Sequence, residues 1–109
     1  MEVEFDDPKL QRVAEQSNKL DRAFGTIGAK RIRSRLAELR AVGNVTELKP
    51  LPGKWHALDA DRSGQWAGDA GHPRRIIIRP TPPVPKRTDG GIDWASVRSV
   101  TVVEIVDYH

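Results

Sequence analysis

Glu2-Val3-Glu4-Phe5 alternates polar and apolar residues with the two-residue period of a short half-buried strand, and Asp6-Asp7-Pro8 ends it. Asp7 suits a helix cap and Pro8 the first helical position, where the N–H that proline lacks would have no partner anyway. Leu10, Val13, Ala14, Ser17, Leu20 and Phe24 then recur every three or four residues, which predicts one helical face running up to Gly25. A second helix is expected from about Thr26, with Ala29, Ile32, Leu36 and Leu39 on its buried stripe, until Gly43-Asn44 stops it. The two form a helical hairpin.

Beyond it the texture changes. Residues 45–51 are a connector with room for another helical turn, and 55–59, 65–70 and 74–79 read as strands separated by turns at 61–64 and 71–73. Pro80, Pro82, Pro83, Pro85 and Gly90-Gly91 mark a stiff loop with no place in a central strand. Residues 97–106 are rich in β-branched side chains and predict the last strand. This order predicts an α+β fold, with an N-terminal strand and a helical hairpin packed on one face of a twisted, mostly antiparallel sheet. No repeat or linker divides the chain, so a single domain over residues 1–109 is expected.

Composition narrows the setting. Cysteine is absent, which removes disulfides, thiolate nucleophiles and thiolate metal ligands. The longest apolar run, Ile76-Ile77-Ile78, is far short of the roughly twenty residues of a membrane span. Glu2, Glu4, Asp6 and Asp7 stand where a secretory leader would be basic, so a cytoplasmic protein is expected. Positive charge is clustered: Lys19, Arg22, Lys30, Arg31, Arg33, Arg35 and Arg40 face only Asp21 and Glu38, and residues 72–87 hold five Lys and Arg with no carboxylate. Two such stretches suit a polyanion. A solvated helix face is the plainer reading of the first.

The common catalytic motifs are missing: there is no glycine-rich phosphate loop, no paired zinc ligands at helical spacing and no Gly-x-Ser-x-Gly elbow. Chemistry-bearing residues remain in the sheet half. His56 lies near the start of one strand, Arg75 lies on the next but one, and Asp107-Tyr108-His109 close the chain. His72, in a Gly-His-Pro turn, keeps a structural reading, and Trp55, Trp66 and Trp94 read as packing residues rather than stacking platforms. A metal site from His56, Asp107 and His109 has no diagnostic spacing, so neither metal nor cofactor is expected.

The run Trp55-His56-Ala57-Leu58-Asp59-Ala60-Asp61-Arg62-Ser63-Gly64-Gln65-Trp66 resembles the HigB pattern of His, a hydrophobic residue, then Asp-Arg-x-Gly-x-Trp across a hairpin. Arg75-Ile76 and the closing Asp107-Tyr108-His109 resemble the same family of RelE/ParE-type toxins, in its plasmid-maintenance killer branch. The resemblance implies a ribosome-dependent endoribonuclease that cleaves mRNA without a metal and is restrained by a HigA-like helix-turn-helix antitoxin. Such a cleavage must deprotonate a ribose 2′-OH, stabilise a phosphorane and protonate the leaving 5′-oxygen. Carried over by position, His56 and His109 become the acid/base pair, Arg75 the phosphate clamp, Tyr108 a proton donor or stacking partner, and Asp107 an orienting carboxylate. Arg62, Arg74, Lys30, Arg31, Arg33 and Arg35 are candidate RNA contacts. Asp59 departs from the lysine of some HigB proteins, and the loop at 80–91 is longer than in the compact ones. A monomeric free toxin is expected. The alternatives are a non-catalytic ParE-like toxin that poisons DNA gyrase by binding, and a plain RNA- or protein-binding module.

Overall fold

The structure, a computed structural model, describes residues 1–107; Tyr108 and His109 lie outside the described residues. The chain opens with β1 (Glu2–Phe5) and enters α1 (Pro8–Glu15), where the Asp7 carboxylate accepts the Lys9 N–H at 2.8 Å. α1 is shorter than its hydrophobic face predicts. At Gln16 the backbone is extended (φ −116°, ψ 112°), and its carbonyl starts the next helix by accepting the N–H groups of Lys19 and Leu20. That helix, α2 (Ser17–Ala41), runs past Gly25, which kinks it rather than ending it (φ 75°, ψ 166°). Glycine has no Cβ to clash at this positive φ. Arg33 braces the kink from beyond it, donating to the Ser17 carbonyl at 2.9 Å and the Asp21 carboxylate at 3.0 Å. The hairpin is therefore α1 against a long kinked α2, and the boundary falls nine residues before the expected one.

A 3-10 turn at Val45–Leu48 follows, closed by a capping box in which Asn44 accepts the Thr46 N–H and Glu47 accepts the Asn44 N–H, both at 3.0 Å. The remaining strands are β2 (His56–Ala57), β3 (Trp66–Asp69), β4 (Arg74–Pro80) and β5 (Ser99–Asp107). Their spatial order is β1-β5-β4-β3-β2, with β1 parallel to β5 and every other pairing antiparallel. β2 is cut to two residues because Asp59 begins a 3-10 turn at Ala60–Arg62. The architecture is the expected α+β layer, two helices on a five-stranded mixed sheet.

Leu20, Ala29, Ile32, Leu36 and Leu39 of α2 pack with Trp66, Ile76, Ile78, Val100 and Val102 of the sheet in one core. Each fully buried Leu or Ile there contributes about 1.5–3 kcal/mol. Trp55 and Trp66 are buried, and Trp94 packs on Trp66 with ring centroids 5.6 Å apart. The proline-rich segment is pinned rather than loose: Thr81 and Thr101 hydroxyls bond at 2.8 Å, and Lys86 bridges Ile92. At its tip the Gly91 N–H, and beyond it the Arg87 guanidinium, hold the Asp89 carboxyl below the usual carboxylate range. Among the described residues no helix is long and apolar enough to cross a membrane.

Candidate functional site

His56 owes its position to its neighbours. Trp55 is buried, its indole lying over Gly68 of β3, so the next side chain in the alternation, His56, is turned to the opposite side of the sheet and is exposed. Lys54 adopts a left-handed backbone (φ 52°), and its carbonyl lies 3.0 Å from His56 Nδ1. A carbonyl can only accept, so Nδ1 carries the hydrogen. In the neutral ring Nε2 then holds the lone pair, the arrangement of a general base.

Cross-strand pairing shows which residues share this face. His56 stands opposite Ala67, Ala67 opposite Ile77, and Ile77 opposite Glu104, a row across four strands. Two residues along, Arg75 stands opposite Asp69 and Val106, so it shares the face. Arg75 Nε lies 3.7 Å from the Asp69 carboxylate. Arg62 reaches the same face from the loop between β2 and β3, donating to Glu104 at 2.9 Å and to Gln65 at 3.0 Å. Arg79, two residues beyond Ile77, pairs with Asp6 at 2.6 Å. The helices cover the other side of the sheet. Among the described residues the open face thus carries the His56 imidazole and the guanidiniums of Arg62, Arg75 and Arg79, each guanidinium beside a carboxylate.

Arg74 and Asp107 belong to the helix side. They are paired across β4 and β5, with Arg74 Nε 3.5 Å from the carboxylate. The Arg74 guanidinium lies over the Phe24 ring at 4.9 Å and against Gly28. The structure therefore brings His56, Arg75 and Arg62 to one face and sets Arg74 and Asp107 on the other. Tyr108 and His109 fall outside the described residues.

The basic residues of α2 divide in the same way. Arg35 is occupied inside the fold, its Nε donating to the Asp69 carbonyl at 2.6 Å while Glu38 pairs with its terminal nitrogen. Arg33 is the kink brace. Lys30 and Arg31 are exposed beside Ile27, which is 73% exposed, and Arg31 rests on Gly71. They lie on the helix layer, behind the sheet as seen from His56. Among the described residues no group of three or more His, Asp or Glu is placed to hold a metal ion. Sequence reading missed Lys54, Gln65 and Glu104; only Glu104, a lone carboxylate within the β-branched run of β5, left a signal.

No family model matches this sequence, and no curated protein does. Solved structures do. The YoeB–YefM complex from Staphylococcus aureus aligns with a TM-score of 0.59 at 13% identity, covering 100% of this chain and 97% of that one. The YoeB/ParE toxin from Agrobacterium tumefaciens aligns at 0.55 and 12% identity with both chains fully covered. The YoeB dimer from Staphylococcus aureus gives 0.59 at 13%, again over 100% and 97%. At such identities the likeness is one of fold: along its whole length this chain has the fold of these toxins.

Proposed function

We propose that this chain is the toxin of a type II toxin–antitoxin module, a HigB-like endoribonuclease that cleaves mRNA on the ribosome and so stops translation and growth. One observation carries the reading: His56, with Nδ1 committed to the Lys54 carbonyl, shares an open sheet face with Arg75. His56 Nε2 takes the 2′-OH proton, Arg75 faces the charge that develops on the phosphorane, and a protonated group serves the leaving 5′-oxygen. His109 and Tyr108 enter as that proton donor and its neighbour on the strength of the terminal Asp-Tyr-His pattern. Asp107, held by Arg74, anchors the end of β5 that leads to them. The chemistry uses no metal or cofactor.

The partner is a HigA-like helix-turn-helix antitoxin, and the protein acts in the cytoplasm as a monomer when free. YefM accompanies YoeB in two structural neighbours, which supports an antitoxin here. Lys30 and Arg31, on the side away from His56, suit an acidic antitoxin surface better than the cleaved strand. A second reading, gyrase poisoning without catalysis, is favoured by the YoeB/ParE neighbour. Induced expression separates the two. Wild type should arrest growth and leave cut messages in primer extension, while His56→Ala with His109→Ala should do neither. Arrest with intact messages, undiminished in the double variant, would move the assignment to the gyrase reading.

A further inference from the structure

We infer that Glu104 is a positioning residue, which holds Arg62 across the open sheet face so that its guanidinium meets the substrate phosphate beside Arg75. The inference rests on the ribonuclease reading for the substrate, but its structural half stands apart from it.

An arginine in a turn of the type 60–64 ordinarily extends into solvent. Arg62 instead folds back over the sheet, reaches a carboxylate 42 residues later in the chain at 2.9 Å, and keeps only 29% of its side chain exposed. Gln65, at the foot of the same loop, accepts from the other terminal nitrogen at 3.0 Å, so the guanidinium plane is fixed at two points. Glu104 ends the row that begins at His56, and strands lie about 4.8 Å apart, so the bridge spans the middle of the face. Ile77 and Ala67, inside that row and on the side away from the helices, are completely buried. They lie outside the main core, as expected if the loop closes over them.

A partly exposed ion pair of this kind contributes only about 0–1 kcal/mol to stability. A purely structural role for Glu104 thus predicts almost no phenotype. A positioning role predicts a large one, because a cation displaced by about 1 Å from a reacting phosphate can cost on the order of a hundredfold in rate. Guanidinium also matches phosphate oxygens in a planar, two-point way that lysine does not reproduce.

The test uses single-turnover cleavage of an mRNA programmed on purified ribosomes, with Glu104→Ala, Glu104→Gln, Arg62→Ala, Arg62→Lys and the double alanine variant. Glu104→Ala and Arg62→Ala should each slow cleavage by about 10–100-fold with mRNA–ribosome binding within threefold, and the double variant should be no slower than either. Glu104→Gln should retain more activity than Glu104→Ala. A Glu104→Ala rate within twofold of wild type, a faster one, or multiplying losses in the double variant would overturn the inference while leaving the ribonuclease reading intact. Loss of that reading looks different: wild type cuts nothing. The Arg62 Nη2–H resonances then decide, since Glu104→Ala removes their acceptor and must shift them and speed their hydrogen exchange. An unmoved signal means that Glu104 does not hold Arg62.

Discussion

Replacing Gly68 by alanine should unfold this protein at a markedly lower temperature, for a reason confined to one indole ring. A Cβ built at Gly68 meets Cδ2, Cε2 and Cε3 of Trp55 at 2.7 Å, and ordinary contact starts near 3.4 Å, so the ring must retreat by about 0.7 Å. It has nowhere to go: Trp55 is buried, and a Cβ at Gly53 would meet its Nε1 at 2.5 Å, which places a second close backbone at the ring edge. Overpacking of this kind costs about 1–3 kcal/mol, reduced by the roughly 0.5–1 kcal/mol that alanine gains over glycine inside a strand. With three ring atoms at 2.7 Å the cost falls at the upper end, about 2–3 kcal/mol, so the net loss is about 1–2.5 kcal/mol and Tm falls by roughly 5–15 °C in a domain of this size. Thermal melts followed by far-UV circular dichroism read it directly. The clash has one partner, so the same substitution in a Trp55→Leu background should cost almost nothing. Equal losses in both backgrounds, or a Gly68→Ala protein that melts with wild type, would refute the argument.

Two further substitutions test the surroundings of His56. Glu38→Ala removes the acceptor of the Gly53 N–H and the counter-charge of Arg35, two side chains only 12% and 13% exposed; a loss of about 3 kcal/mol in urea unfolding is expected, and an unchanged midpoint would count against it. Lys54→Gly should leave Tm unchanged or raise stability by up to about 1 kcal/mol, because glycine accepts the positive φ without strain and the carbonyl facing His56 stays in place. A fall of more than a few degrees would mean that the Lys54 side chain itself supports the loop.

The layer architecture was legible because α2 keeps its apolar stripe at helical spacing and because β4 and β5 are rich in β-branched residues. The helix break was not. Gly25 looks like a terminator, yet the chain resumes its helix beyond it, since Arg33 ties the two halves together from eight residues away. Gln16, which does break the helix, is an ordinary helix former, so its residue type carries no signal for the extended backbone it adopts there. His56 and Arg75 are candidates by their pattern, and strand alternation places the two on one face. Arg74 could not be sorted from Arg75 by residue type. Only the pleat, with Phe24 waiting on the helix side, assigns it to the other surface. Glu104 escaped for a similar reason, since its partner Arg62 comes from a turn far away in sequence.

β1 pairs in parallel with β5, Glu2 opposite Ser99 and Phe5 opposite Val102. During synthesis the first strand must therefore wait for a partner made about a hundred residues later, roughly 5–20 s at ordinary translation rates. Until then β4, the central strand, also lacks a neighbour on one side. A chain closed this way can pair β2, β3 and β4 as they emerge, but it completes its sheet only with β5. Its open face, with Glu104 supplied by the last strand, is therefore incomplete in a nascent chain halted anywhere before β5.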